Sequence, residues 1–264
     1  VYETLGAGQL ATCVRADDGR MDVALRRLHP GLETERDQLD AFISEARLAH
    51  QLVHPHLGRV FAFGKYDGIY FAAQELVLGP TIGAVLRQCR SAAGAIPIGI
   101  TVELMLQLCD ALAHLHGAGI AYRGVTADKL LISRQGRIKL VDFRRARSVA
   151  HFDPRGDLLA AGVLAHELLV GRALDEPTPP SRWAPDVSPE LDDIVMLALE
   201  RDVTKRWQSA AAMRTALDGV ARQLGGRLVI AQHMRDWLHW AFARKPRRHT
   251  TYVSSLVEWL EKSA

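Results

Sequence analysis

At 264 residues, 48% apolar and 24% charged, the chain can bury a substantial core and has the balance of an ordinary globular protein. A formal net charge of +3 is too small to imply a nucleic-acid partner. No run of about 18 apolar residues lacks a charge, so no membrane span is expected. Three widely spaced cysteines, Cys13, Cys89 and Cys109, argue for reduced thiols in a cytoplasmic protein and against a metal cluster. The chain begins at Val1, with no Met and no signal-like apolar stretch, which suggests a piece excised from a longer protein.

In chain order, β-rich runs at 12–16, 23–28, 60–63 and 69–77 alternate with the turns Asp17-Asp18-Gly19 and Asp67-Gly68. Between them 35–53 is helix-like, with Leu39, Phe42, Ala46 and Ala49 at helical spacing. From Gly79 the pattern turns helical. Residues 102–116 carry Leu104, Leu108, Leu112 and Leu115 on one face and stop at Gly117-Ala118-Gly119. The runs 130–132 and 138–141, joined across Gln135-Gly136, predict a hairpin, and helices are predicted at 157–169, 190–200 and 209–224. The stretch 171–189 is too rich in proline, with Pro177, Pro179, Pro180, Pro185 and Pro189, to hold a helix.

Gly225-Gly226 breaks the last of these helices, and two amphipathic patterns follow. The first aligns Leu228, Ile230, Met234, Trp237, Leu238, Ala241 and Phe242; the second aligns Tyr252, Leu256, Trp259 and Leu260. Such stripes pack on the parent lobe or offer a partner-binding face. The basic run Arg244-Lys245-Pro246-Arg247-Arg248-His249 between them reads as a solvated linker, or as a contact for an acidic protein or anionic surface.

Several motifs fall in one order. Leu5-Gly6-Ala7-Gly8-Gln9-Leu10-Ala11 has the look of a glycine-rich loop whose third Gly is Ala, although a Gly-x-Gly before an apolar run is often only a hairpin turn. Val23-Ala24-Leu25-Arg26 stands for Val-Ala-Ile-Lys, Glu45 for the Glu of the following helix, and Leu52-Val53-His54-Pro55-His56-Leu57 for a His-Pro-Asn turn. Tyr122-Arg123-Gly124-Val125-Thr126-Ala127-Asp128-Lys129 matches a catalytic loop, Leu140-Val141-Asp142-Phe143-Arg144 an Asp-Phe-Gly segment, Asp157 the buried Asp that anchors the loop, and Arg206 an Arg near the end of the C-terminal lobe. From Leu5 to about Leu217 the chain resembles a bacterial serine/threonine protein kinase that has become a pseudokinase.

That resemblance implies an α+β, bilobal protein-kinase-like fold: an N-lobe over 1–78, a helical C-lobe over 79–224 and a C-terminal helical extension over 225–264. It also implies which chemistry is missing. In a kinase the loop Asp accepts the substrate hydroxyl proton, and an Asn a few positions later holds the second magnesium. Gly124 has no side chain, Lys129 places an ammonium where that Asn would be, and Arg26 replaces the phosphate-contacting Lys. Only residues 143–156 stand for an activation segment, with no Ala-Pro-Glu, so Arg206 is expected to lack its usual partner. No enzyme activity and no metal site are therefore expected.

In the cleft, Arg26 is expected to pair with Glu45 and hold the helix on the sheet. Asp142 is either a metal-type ligand or the partner of Lys129 or Arg26. Arg144 stands where a Gly would permit backbone conformations that Arg adopts only at a cost in strain, so the segment is expected to be locked in one state. Cys13, Ala24 and Leu131 are small or apolar at the adenine positions, and Gln74 either fills space or bonds the hinge 75–77. No cofactor is expected, with weak ATP binding left open. The expected role is a cytoplasmic scaffold or allosteric regulator in bacterial signalling, with a protein partner on the C-terminal helices or the groove left by the short activation segment. The alternative is a metal-independent nucleotide sensor in which Gly6, Gly8, Arg26 and Lys129 hold the phosphates.

Overall fold

The computed structural model describes residues 3–17, 19, 21–90, 96–133, 135–144, 146–148, 153–227 and 232–237. The first lobe is a five-stranded antiparallel sheet in the order β1-β2-β3-β5-β4, built from β1 Glu3–Ala7, β2 Ala11–Asp17, β3 Asp22–Leu28, β4 Val60–Tyr66 and β5 Ile69–Glu75. The strand-rich runs of the sequence fall on β2 to β5. β1 was not marked as a strand because its Gly6 and Ala7 lack the branched side chains that signal one. The turns use backbone freedom: Gly19 has φ +87 with its amide bonded to Asp17, and Gly68 has φ +76.

α1 Arg36–Gln51 crosses this sheet and buries Phe42, Glu45, Ala46 and Ala49, the stripe its periodicity predicts. Phe42 joins Leu28, Ala46 and Ala72 in a small core against which Leu10, Leu39, Phe63 and Tyr70 pack.

The second lobe is helical: α2 Ile82–Gln88, α3 Ile98–Gly117, α4 Arg155–Val170, α5 Pro189–Ala198 and α6 Ala210–Gln223. Short antiparallel pairs complete it, β7 Leu130–Ile132 with β8 Ile138–Leu140 and β6 Ile120–Ala121 with β9 Arg147–Ser148. Thr81, Ser188 and Ser209 cap α2, α5 and α6 by accepting the amide hydrogens of Ala84, Leu191 and Ala212.

α3 starts four residues before the sequence reading, since Pro97 is well suited to precede a first turn, and it forms the centre of the core. Its length and apolarity are those of a membrane-crossing helix, a feature the charge-based reading passed over, but 72% of its apolar window is buried by the protein itself. Gly162 lets α4 lie on α5, where an added Cβ would stand 2.6 Å from that of Ala198. Residues 171–188 hold only a 3-10 turn, Pro180–Arg182.

The C-terminal extension is described as far as helical turns at 232–237, where Met234 is buried in the main core and Trp237 packs against it. For these two residues the apolar stripe packs on the parent lobe. Leu228, Ile230, Leu238, Ala241, Phe242, the whole second pattern and the basic run lie outside the described residues.

Candidate functional site

The site lies where β1 to β3, α1, the segment 122–129 and the segment 141–144 meet. Arg26 projects from β3 toward Glu45 on α1, and the guanidinium donates to both carboxylate oxygens at 2.6 and 3.0 Å. Glu45 is 4% exposed, so the pair is largely shielded from water and fixes α1 against the sheet. The Arg26 guanidinium also lies 5.6 Å from the centre of the Phe42 ring.

Gly6 and Gly8 sit in the β1–β2 hairpin, Gly6 paired with Cys13 and the Gly8 amide donating to the Ala11 carbonyl at 2.9 Å. His29, just past β3, clasps this turn through Nε2 and the Gly8 carbonyl, 2.8 Å apart, and its own amide donates to Leu10. The loop thus bonds to itself and to the end of β3.

The loop 122–129 is held by one buried carboxylate. Asp157, at the start of α4, accepts the amides of Tyr122 and Arg123 at 2.7 and 2.6 Å and faces His116 Nε2 at 3.0 Å. Tyr122 in turn donates its hydroxyl to the Val141 carbonyl at 2.5 Å, and the Val141 amide bonds the Lys129 carbonyl at 3.0 Å. Tyr122 and Phe143 meet edge to face, centroids 5.8 Å apart.

In the structure Asp142 is ion-paired. Arg144 donates Nε to one oxygen at 2.6 Å and Nη2 to the other at 2.7 Å, while Lys129 Nζ stands 3.6 Å away. Burial alone would raise the Asp142 pKa, but the Arg144 hydrogen bonds and the Lys129 and Arg144 charges outweigh it, so the carboxyl is held below its usual value. Lys129 was a named partner; Arg144, two residues on, was not, and Arg26 bonds Glu45 instead. The Asp-x-Arg spacing was the available signal.

In the cleft, backbone strain is found at Asp142, φ 67, and Arg123, φ 60, and not at Arg144. Gly124 lies between the anchored Arg123 amide and Val125 and brings no side chain to the cleft. As they stand, these residues do not fit a two-metal centre: the acidic ligand is chelated by a guanidinium, and a lysine occupies the second ligand's position.

Ala49, Val60, Gln74, Asp142 and Phe143, among others, line a cavity of about 10 Å³, room for about one water. Burial raises the pKa of the Cys13 thiol, outweighing the opposing pull of Arg26 and Gln74. Glu75, at the end of β5, instead pairs with Lys139 of β8 at 2.8 Å. Arg206, expected to lack its usual partner, gives its guanidinium to the backbone carbonyls of Glu200, Arg155 and Arg201.

The family model of the protein kinase domain matches residues 1–154. The chain belongs to the protein kinase domain family. It is 28% identical over 259 residues to the serine/threonine-protein kinase PknB of Mycolicibacterium smegmatis, covering 81% of this chain and 41% of that protein. To the serine/threonine-protein kinase PknL of Mycobacterium tuberculosis it is 29% identical over 266 residues, covering 85% of this chain and 66% of that protein. The crystal structure of the Mycobacterium tuberculosis PknI kinase domain superposes with a TM-score of 0.67 at 23% identity, covering 83% of this chain and 94% of that one, and so shares the bilobal kinase fold. The chain spans about two-fifths of the length of the first curated relatives it matches.

These relatives correct one expectation. The reading that the chain is not an enzyme is overturned: relatives at 26–29% identity are named serine/threonine kinases, and with the kinase-domain family model they point to an enzyme. Taking Gly124, Lys129 and Arg26 as decisive weighed single side chains above the kinase-family frame around them, in which Asp157, Glu45 and Asp142 keep their places.

Proposed function

We propose that this kinase-family domain acts in bacterial signalling as a scaffold or allosteric regulator that engages another protein, in the cytoplasm. One observation carries the reading: both oxygens of Asp142 are taken by Arg144, with Lys129 beside them, so the cleft is closed by its own ion pairs. Phosphoryl transfer, the activity named for the relatives, requires Arg144 to release Asp142 before a divalent ion can reach it. A bound protein supplies that change of state, and the C-terminal extension and the short activation-segment groove are the surfaces proposed for it. The free thiols Cys13, Cys89 and Cys109 support placement in a reducing compartment.

The test starts with co-purification from the native cell, followed by re-expression of each captured protein and measurement of its binding to the chain and to a version ending at Leu224. A stoichiometric complex with a dissociation constant below about 10 µM supports the reading. If no captured protein rebinds, or if captured proteins are turned over as phosphorylation substrates without forming a complex, the regulator reading fails.

A second reading rests on the same ion pairs: with Arg144 supplying a built-in cation, the cleft takes a nucleotide without metal. Melting with ATP plus chelator distinguishes it, since ligand at 100 times its dissociation constant stabilises by about 2.7 kcal/mol. An unchanged melting curve rejects it.

A further inference from the structure

Outside the cleft, one buried polar chain links the C-terminal extension to the segment that carries Asp142. Gly225 and Gly226, with φ of 98 and 88, turn the backbone away from α6 and lead into Arg227. The Arg227 guanidinium donates to both oxygens of Glu103 on α3, at 3.0 and 2.9 Å. Glu103 is 5% exposed, and a carboxylate so placed needs that partner. It also accepts a hydrogen bond from Gln107 Nε2 at 2.9 Å.

Gln107 passes the contact on. Its Oε1 accepts the amide of Ile138, the first residue of β8, at 2.8 Å, and its Nε2 also reaches the Gly136 carbonyl at 3.4 Å. One side chain thus holds both the turn and the start of β8 from inside the lobe. The extension touches the same turn from outside, where a Cβ built on Gly136 would stand 3.1 Å from the Met234 methyl and 3.5 Å from Arg235 Cγ. β8 then carries Lys139, which bonds Glu75 at the end of β5, and it leads directly into Val141 and Asp142.

We propose that residues 225–227 and 232–237 act as a strap that positions the β7–β8 hairpin, the first through Arg227, Glu103 and Gln107 and the second through Met234 and Arg235 at Gly136, and so sets the Lys139–Glu75 contact and the Asp142 segment. Arg227 is a positioning residue: it touches nothing in the cleft and acts through β8. Fully satisfied, the network holds a single arrangement; with Arg227 withdrawn, Glu103 keeps Gln107 alone and the grip on Gly136 and Ile138 loosens. The strap lies within this chain, so it is measurable without a partner and stands apart from the scaffold reading.

Hydrogen exchange followed by mass spectrometry on the full chain tests it. Arg227→Ala is expected to speed exchange in peptides covering 73–77 and 136–143 by about tenfold, with α5 and α6 unchanged. Arg222→Ala, which removes an exposed pair with Asp218 on α6, is the control and should leave those peptides as they were. Because an unpaired buried carboxylate can itself unfold a protein, the double variant E103Q/R227A is measured too. It lacks the stranded charge and should still show the fast hairpin. The proposal is overturned if faster exchange stays within 225–237, if it spreads evenly over the helical lobe, or if the double variant returns to wild-type rates.

Discussion

Replacing Arg144 with Ala removes the guanidinium that covers both oxygens of Asp142 and leaves Lys129 Nζ at 3.6 Å and the backbone amide of position 144 at 3.4 Å. A divalent ion on that carboxylate would sit roughly 4 Å from the Arg144 charge. The repulsion between them is about 2 kcal/mol at the dielectric of water and about 8 kcal/mol at an effective value of 20. Arg144 is 45% exposed, so solvent screening favours the lower figure. Losing about 2 kcal/mol of repulsion predicts roughly 30-fold tighter metal binding. Manganese titrations followed by water-proton relaxation measure this on the wild type, on Arg144→Ala and on D142N/R144A. The single variant should tighten by that factor and the double variant should lose the gain. Equal affinity of wild type and Arg144→Ala, or tight binding that survives loss of Asp142, would refute the view that this ion pair governs access to the cleft.

Three further outcomes are expected. Asp157→Ala strands the buried Tyr122 amide and the part-buried Arg123 amide of the 122–129 loop, a loss of about 3 kcal/mol, while Asp157→Asn keeps one acceptor and loses about half of that; urea midpoints measure both, and equal midpoints for Ala and wild type would exclude the anchor. Gly79→Ala should cost about 3 kcal/mol or more, because its Cβ would lie 1.8 Å from the Ile132 carbonyl oxygen, whereas Gly83→Ala meets the mobile end of Asp128 and should cost under about 1 kcal/mol; a reversed order in thermal melts would refute the placement of α2. His54 stacks on His114, 4.9 Å between centroids, and burial with the charges of His114, His56 and Lys139, against the pull of Asp110, lowers its pKa from 6.5 to about 4. The unfolded chain therefore binds the extra proton between those values, so stability falls as pH drops from about 6.5 to about 4, and His54→Gln should flatten that part of the profile relative to wild type.

The fold was legible because its determinants are periodic. The α1 stripe through Phe42 and Ala46 and the α3 stripe through Leu104, Leu108 and Leu112 could be read directly from spacing, as could the Gly19 and Gly68 turns. The motif order also placed Arg26 against Glu45 and Asp157 under the loop. What escaped was set by geometry between distant segments. His29 reaching back to Gly8, Arg206 collecting backbone carbonyls, and the Arg227–Glu103–Gln107 chain span many residues and follow no period. Arg144 escaped for a different reason: as a substitute for Gly it suggested backbone strain, and its side chain's reach to Asp142 was not weighed.

Loop position and loop chemistry are separable in this protein. The groups that fix 122–129 are the backbone amides of Tyr122 and Arg123 on Asp157, the Tyr122 hydroxyl on the Val141 carbonyl, and the Val141 amide on the Lys129 carbonyl. Apart from the tyrosine hydroxyl, these are main-chain groups that most residue types supply. Gly124 therefore supplies no side-chain contact to the loop, and Lys129 supplies only a cation over the Tyr122 ring, 5.5 Å from its centre, and an ammonium 3.6 Å from Asp142, in addition to its carbonyl. A kinase-family frame and an ion-paired cleft are compatible for that reason: the frame depends on Asp157, Tyr122 and the hydrogen bonds of 141, while the character of the cleft is set by the few side chains around Asp142. Change in the second set leaves the first intact, so regulation of this domain is to be sought in whatever moves Arg144 and Lys129 relative to Asp142.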